Sequence, residues 1–128
     1  MILAGDIGGT KAHLALYAAD ASPRHPALDR RFASHDHASL EALTRAFLAE
    51  TGAEPPTRAV FGIAGVVIRN RCETTNLPWH VDGADLSQAL GGAKVTLLND
   101  LAATAAGLDV LERGDLETLQ NGTPSPGA

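Results

Sequence analysis

A chain of 128 residues suits one domain, and folding at this size buries about two-thirds of the surface of the unfolded chain. The net charge is −5 and Arg24, Arg30 and Arg31 are scattered through one polar stretch, so no basic stripe is offered to nucleic acid. Cys72 is the single cysteine, which excludes an internal disulfide framework and fits a reducing compartment. The apolar stretch 59–68 is broken by Gly62 and Gly65 and is too short for a bilayer, and no basic-then-apolar leader follows Met1, so the expectation is a soluble cytoplasmic protein with no membrane partner.

The apolar run Ile2-Leu3-Ala4, ending at Asp6, reads as a first strand. After Gly8-Gly9-Thr10, Leu14, Leu16 and Ala18 alternate with His13, Ala15 and Tyr17, the period of a second strand. With the glycines between them, the two form a predicted hairpin. Ser22 to Pro26 reads as loop and Arg31 to His35 as a third strand. Ser39 is placed to cap a helix whose Leu40, Leu43 and Phe47 share one face and which Gly52 stops. Arg58 to Ile63 reads as a buried strand, and Val66 to Thr74 as extended chain, half of a second hairpin. Asp82 starts a short helix through Leu90, stopped by Gly91-Gly92, and Val95 to Leu98 is a further buried strand. A helix over Leu101 to Gly107, an extension over Leu108 to Leu111 and a disordered tail from Asn121 to Ala128 complete the expected order. The result is an α/β chain with a mixed sheet, one half led by a hairpin and the other by crossovers.

Asp6-Ile7-Gly8-Gly9-Thr10 carries the first chemical signal. Consecutive glycines let a backbone approach a ligand closely, and such a turn can aim several N–H groups at phosphate oxygens. Thr10 adds a hydroxyl and Lys11 a positive charge. Asp6 would repel a bare phosphate, so its presence implies a divalent cation, held through water. The competing reading is a β-hairpin turn that merely needs two glycines.

Asn99-Asp100 follows a buried strand, at the end where open α/β sheets bind ligands. A carboxylate there can accept a proton from a substrate hydroxyl, which transfer from ATP to an alcohol requires. Either residue also suits a helix N-cap, and the two roles are compatible. Asn76-Leu77-Pro78-Trp79 is a third candidate, in which Trp79 reads first as core and Asn76 as a residue able to face the site. His35 and His37 lie two apart with too few further ligands for a metal site.

Taken together, the chain resembles the N-terminal portion of the bacterial glucokinase family, within the actin-like and hexokinase-like ATPase superfamily. Gly5 to Lys11 resembles the family's first phosphate motif, Gly62-Ile63-Ala64-Gly65-Val66-Val67 its second strand and turn, Asn76-Leu77-Pro78-Trp79 its Asn-x-x-Trp element, and Leu97 to Ala103 the segment with the catalytic Asp. The resemblance implies a ribonuclease-H-like mixed five-stranded sheet with flanking helices, the lobe of an actin-like ATPase. It implies transfer of the ATP γ-phosphate to the 6-hydroxyl of glucose, with ATP and Mg²⁺ required and a homodimeric full-length enzyme. Asp100 would be the base, Asn99 and Asn76 would join it in holding the sugar, Gly8, Gly9, Thr10 and Lys11 would face the ATP phosphates, and Asp6 would lie near the magnesium.

Lys11 departs from the Asn often found there in glucokinases and matches the related family of repressors, open reading frames and kinases. Members of the glucokinase family are well over twice this length, and their second phosphate motif and remaining sugar ligands would lie beyond Ala128. The expected division is a small lobe over 1–111 and the start of a connection over 112–128, inactive as a kinase alone. The alternatives are a stand-alone sugar- or nucleotide-binding module and a kinase of the related family acting on another hexose.

Overall fold

The computed structural model describes residues 1–22, 24–74 and 77–100. Among the described residues, eight strands and two helices follow one another: β1 (Ile2–Ile7), β2 (Lys11–Tyr17), β3 (Leu28–Ala33), α1 (Leu40–Thr51), β4 (Arg58–Ile63), β5 (Gly65–Ile68), β6 (Arg71–Thr74), β7 (His80–Asp82), α2 (Gly83–Ala89) and β8 (Lys94–Asn99). A single 3₁₀ turn, Ser34–Asp36, separates β3 from α1. The expected helix over 101–107, its extension over 108–111 and the tail over 121–128 lie outside the described residues.

The main sheet has the order β3-β2-β1-β4-β8. β1, β2 and β3 pair antiparallel, whereas β4 and β8 run parallel to β1. This is the mixed sheet expected from a hairpin followed by crossovers, with the five strands that the resemblance implied. Residues in register share a face. One face carries Leu3, Ile7, Leu14, Leu16, Ala59, Phe61, Ile63, Val95 and Leu97, all buried in one cluster with Leu40, Leu43 and Phe47 of α1 and Leu86 of α2. The other face carries Ala4, Ala15, Val60 and Thr96 in one row, with Val60 36% exposed.

Gly5 stands on the core face beneath Phe61. A Cβ there would come within 2.5 Å of the Phe61 ring and 2.9 Å of Leu14. The glycine is therefore required by close packing between strands, not by an unusual dihedral.

Both helices end as their sequences dictate. The Ser39 hydroxyl accepts from the Ala42 N–H at 3.1 Å, and Gly52 takes φ 61°, the left-handed stop. Ser39→Ala removes that acceptor and should lower stability by about 1 kcal/mol, read as a shift in the urea midpoint at unchanged slope. Asp82 caps α2 by accepting from the Ala84 N–H at 2.8 Å, and Gly91 and Gly92 close it at φ 71° and 94°.

Two features differ from the sequence expectation. The third strand lies at Leu28–Ala33, earlier than Arg31 to His35. Only Phe32 of its six side chains is not exposed, so this edge strand is set by backbone pairing with β2 and leaves little hydrophobic pattern to read. The extended stretch after β4 resolves into a separate three-stranded antiparallel sheet, β5-β6-β7. Its inner row, Val67, Cys72 and Val81, packs onto the main core, while Val66 and Ile68 face outward at 71% and 64% exposure. β7 is only three residues long, below what alternation can signal.

Asn70 fastens this small sheet to the main one. Arg69 and Asn70 form the β5–β6 turn, both at positive φ (53° and 59°), as a two-residue hairpin requires. The Asn70 carboxamide donates to the Val95 carbonyl at 2.9 Å and accepts from the Leu97 N–H at 2.8 Å. It thus fills the hydrogen-bonding positions that a neighbouring strand would fill on the outer edge of β8. Its own carbonyl accepts from the Gly83 N–H at 2.9 Å, tying the start of α2 to the same point.

Candidate active site

The parallel strands set the site. Ile7, Ile63 and Asn99 are in register across β1, β4 and β8, so the three strands finish together. Gly8-Gly9-Thr10, Ala64-Gly65 and Asn99-Asp100 therefore emerge along one sheet edge, with the Ala64 N–H continuing the ladder onto the Ile7 carbonyl at 3.2 Å. Such an edge at the carboxyl ends of parallel strands is where α/β sheets bind ligands.

The glycine turn joins β1 and β2 as the hairpin of the competing reading does, but it is not a primed two-residue turn. A two-residue hairpin of that kind needs positive φ. The positive-φ glycines among the described residues are Gly52, Gly91 and Gly92, so neither Gly8 nor Gly9 has that geometry. The Gly8 N–H donates to the Lys11 carbonyl at 2.9 Å, but the Gly8 carbonyl accepts instead from the Ser34 hydroxyl at 2.9 Å. The Ser34 N–H donates to the Thr10 carbonyl at 3.0 Å. Among the described residues, neither the Gly9 nor the Thr10 N–H has an acceptor. Asp6, Thr10 and Lys11 are exposed around this turn.

Asp6 is in register with His13, Gly62 and Leu98, on the face opposite the helices. His13 is held there by Asp29, Nε2 to Oδ2 at 2.8 Å. Asn99 lies on the core-facing row, and its Nδ2 donates to the Gly65 carbonyl at 2.7 Å. That bond fixes the end of β8 against the start of β5. At Asp100 the backbone leaves the strand and turns helical, and the residue is partly buried.

Asp6, Gly8, Gly9, Thr10, Lys11, Asn99 and Asp100 are thus gathered at one edge. Asn76 lies outside the described residues. Trp79 is core: it is 3% exposed, and its indole N–H donates to the His37 carbonyl at 3.3 Å. Thr74 pins the chain on either side of position 76, its hydroxyl donating to the Leu77 carbonyl at 2.7 Å. His35 sits in the 3₁₀ turn and not at a strand end. Cys72 is buried, and burial, with Glu73 second, pushes its thiol above the ordinary range, which makes it a core residue and not a nucleophile.

Two residues escaped the sequence reading. Ser34 carried no signal, because it is a lone serine after a polar strand. Asn70 was readable in principle, since an Asn in a two-residue connection between strands marks positive φ.

A carboxylate beside a turn with unfilled N–H donors suits a phosphate with a hard divalent cation. The glucokinase family model matches residues 3–128. The chain is 38% identical to the glucokinase of Nostoc punctiforme over 127 residues, 98% of this chain and 37% of that protein. It is 38% identical to that of a Nostoc sp. over 130 residues, 38% of that protein. Among solved structures, the glucokinase from an Antarctic psychrotroph superposes with a TM-score of 0.82 at 30% identity, over 98% of this chain and 40% of that one. The chain thus spans well under half the length of the relatives it matches. On its fold, an actin-like ATPase fold, and on its sequence, the chain belongs to the glucokinase family.

Proposed function

We propose that this chain is the N-terminal portion of a glucokinase, which transfers the γ-phosphate of ATP to the 6-hydroxyl of glucose. The observation that carries the reading is the shared strand end, which sets the glycine turn and Asp100 along one edge. Residues 1–111 make up the small lobe and 112–128 begin the connection to a larger one.

Asp100 accepts the proton of the sugar hydroxyl as that oxygen attacks. Asn99 holds a sugar hydroxyl, with one amide hydrogen already committed to Gly65, and Asn76 completes the sugar side. Gly9 and Thr10 give backbone N–H groups to the phosphates, and Gly8 keeps that approach free of side chain. Lys11 and the Thr10 hydroxyl add charge and a further donor. Asp6 would hold Mg²⁺ through water, and the ion would supply neutralisation of phosphate charge when bound. Most of the catalysis is positioning and charge stabilisation, and holding both reactants in line supplies roughly 7–11 kcal/mol of the barrier. That positioning needs closure against a second lobe, so the 128 residues alone are inactive. The enzyme works in the cytoplasm as a homodimer.

The test is a coupled assay with glucose and Mg-ATP, run on the complete product of the reading frame that contains these residues. Formation of glucose 6-phosphate is the expected result. Binding of sugar or nucleotide with no turnover would replace the proposal with a binding module.

A further inference from the structure

We propose that Ser34 is a positioning residue for the phosphate turn, acting through Gly8 and Thr10 without touching the nucleotide. The inference rests on the kinase reading above.

A turn that binds an anion must present N–H groups and withdraw its carbonyls, because a carbonyl oxygen repels a phosphate oxygen. Ser34 withdraws two. Its hydroxyl donates to the Gly8 carbonyl at 2.9 Å, and its backbone N–H donates to the Thr10 carbonyl at 3.0 Å. The Gly8 N–H is meanwhile tied to the Lys11 carbonyl. The donors left unused within the turn are the Gly9 and Thr10 N–H groups, the pair assigned to phosphate. Without Ser34, the Gly8 carbonyl would be free to close a tight hairpin with the Lys11 N–H, and the turn would change shape.

Ser34 is suited to this by burial. It has no exposed surface, and besides Thr44 it is the only buried polar side chain among the described residues. A buried hydroxyl persists where it has a fixed partner, and this one's partner is the turn. Its place is set by the sheet: Ala33 pairs with Lys11, and the 3₁₀ turn starting at Ser34 carries the serine back over the glycines.

The experiment is steady-state kinetics on the complete enzyme with Ser34→Ala and Ser34→Thr, varying Mg-ATP and glucose separately. Calorimetric titration with Mg-ADP runs alongside, and a urea midpoint is taken for each variant. Ser34→Ala should raise the KM for Mg-ATP and weaken Mg-ADP binding by about fivefold to tenfold, the effect of one hydrogen bond. The KM for glucose should stay within about twofold, since Asn99 and Asp100 are held by β8. Ser34→Thr keeps the donor and should recover most of the Mg-ADP affinity. The proposal is overturned if Ser34→Ala folds with both nucleotide parameters unchanged, or loses glucose and nucleotide affinity equally. Should Ser34→Ala fail to fold, a Ser34→Thr variant that folds yet binds Mg-ADP as poorly as a glycine-turn variant (Gly9→Val) also overturns it. An inactive wild-type enzyme that still binds Mg-ADP would defeat the kinase reading and leave the Ser34 test intact through the titration.

Discussion

Asp100→Asn in the complete enzyme should lower kcat by about 10²–10⁴-fold and leave the folding midpoint in place. The substitution keeps the shape of the side chain and removes its capacity to take a proton. It also separates the two roles that the sequence left open. Asn caps a helix as well as Asp does, so a residue that served only as a cap would tolerate the change in both activity and stability. A residue that served as the base would lose activity alone. Measuring kcat at saturating glucose and Mg-ATP, with a urea titration of the same preparation, reads both. An unchanged kcat would remove Asp100 from the chemistry and with it the main support for proton abstraction at this edge.

Asn70→Ala should destabilise the fold by about 2–4 kcal/mol, although the residue is itself exposed. Two hydrogen bonds to β8 vanish, and the Leu97 N–H and Val95 carbonyl lose their partner. Alanine also tolerates the positive φ of this position less well than asparagine. Asn70→Gly relieves the dihedral and still removes the carboxamide, so the difference between the two variants isolates the backbone part. Asn70→Asp keeps an acceptor for Leu97 but sets a carboxylate against the Val95 carbonyl, and should be no better than alanine. Urea midpoints at constant slope provide the comparison. A loss below about 0.5 kcal/mol for alanine would mean that the small sheet is held by its apolar row, Val67, Cys72 and Val81, with the clasp incidental.

Much of this arrangement was legible because several local rules coincided. Ser39 with Gly52, and Asp82 with Gly91-Gly92, bracket helices by capping chemistry that needs no tertiary context. β1, β4 and β8 are apolar enough to be read as strands, and the acids at the ends of β1 and β8, Asp6 and Asp100, mark the candidate site. The parts that resisted are those decided by partners distant in sequence. β3 is a polar edge strand defined by β2, and β7 is three residues defined by β6. The two polar side chains that fix the glycine turn and the small sheet do so across 26 and 25 residues of chain, Ser34 onto Gly8 and Asn70 onto Val95. No window along the sequence contains both ends of such a bond. The glycine turn was legible as a motif, yet its departure from a primed two-residue turn lies in dihedrals, which the letters do not carry.

The two margins of the main sheet are closed by different means. On one side, β3 turns Asp29, Arg30 and Arg31 to solvent, with Arg30 paired to Glu50 at 3.2 Å. Charge there discourages an incoming strand from any other chain. On the other side, the Asn70 carboxamide already occupies backbone positions of β8 that such a strand would need. Neither margin invites extension. Association of this protein with itself, or with the rest of a longer chain, is thereby steered away from strand addition and toward contacts made by faces and loops. A fusion or library that aims to join new elements to this sheet should be built from the loops, because a strand appended at either side would have to displace a charge cluster or evict the clasp.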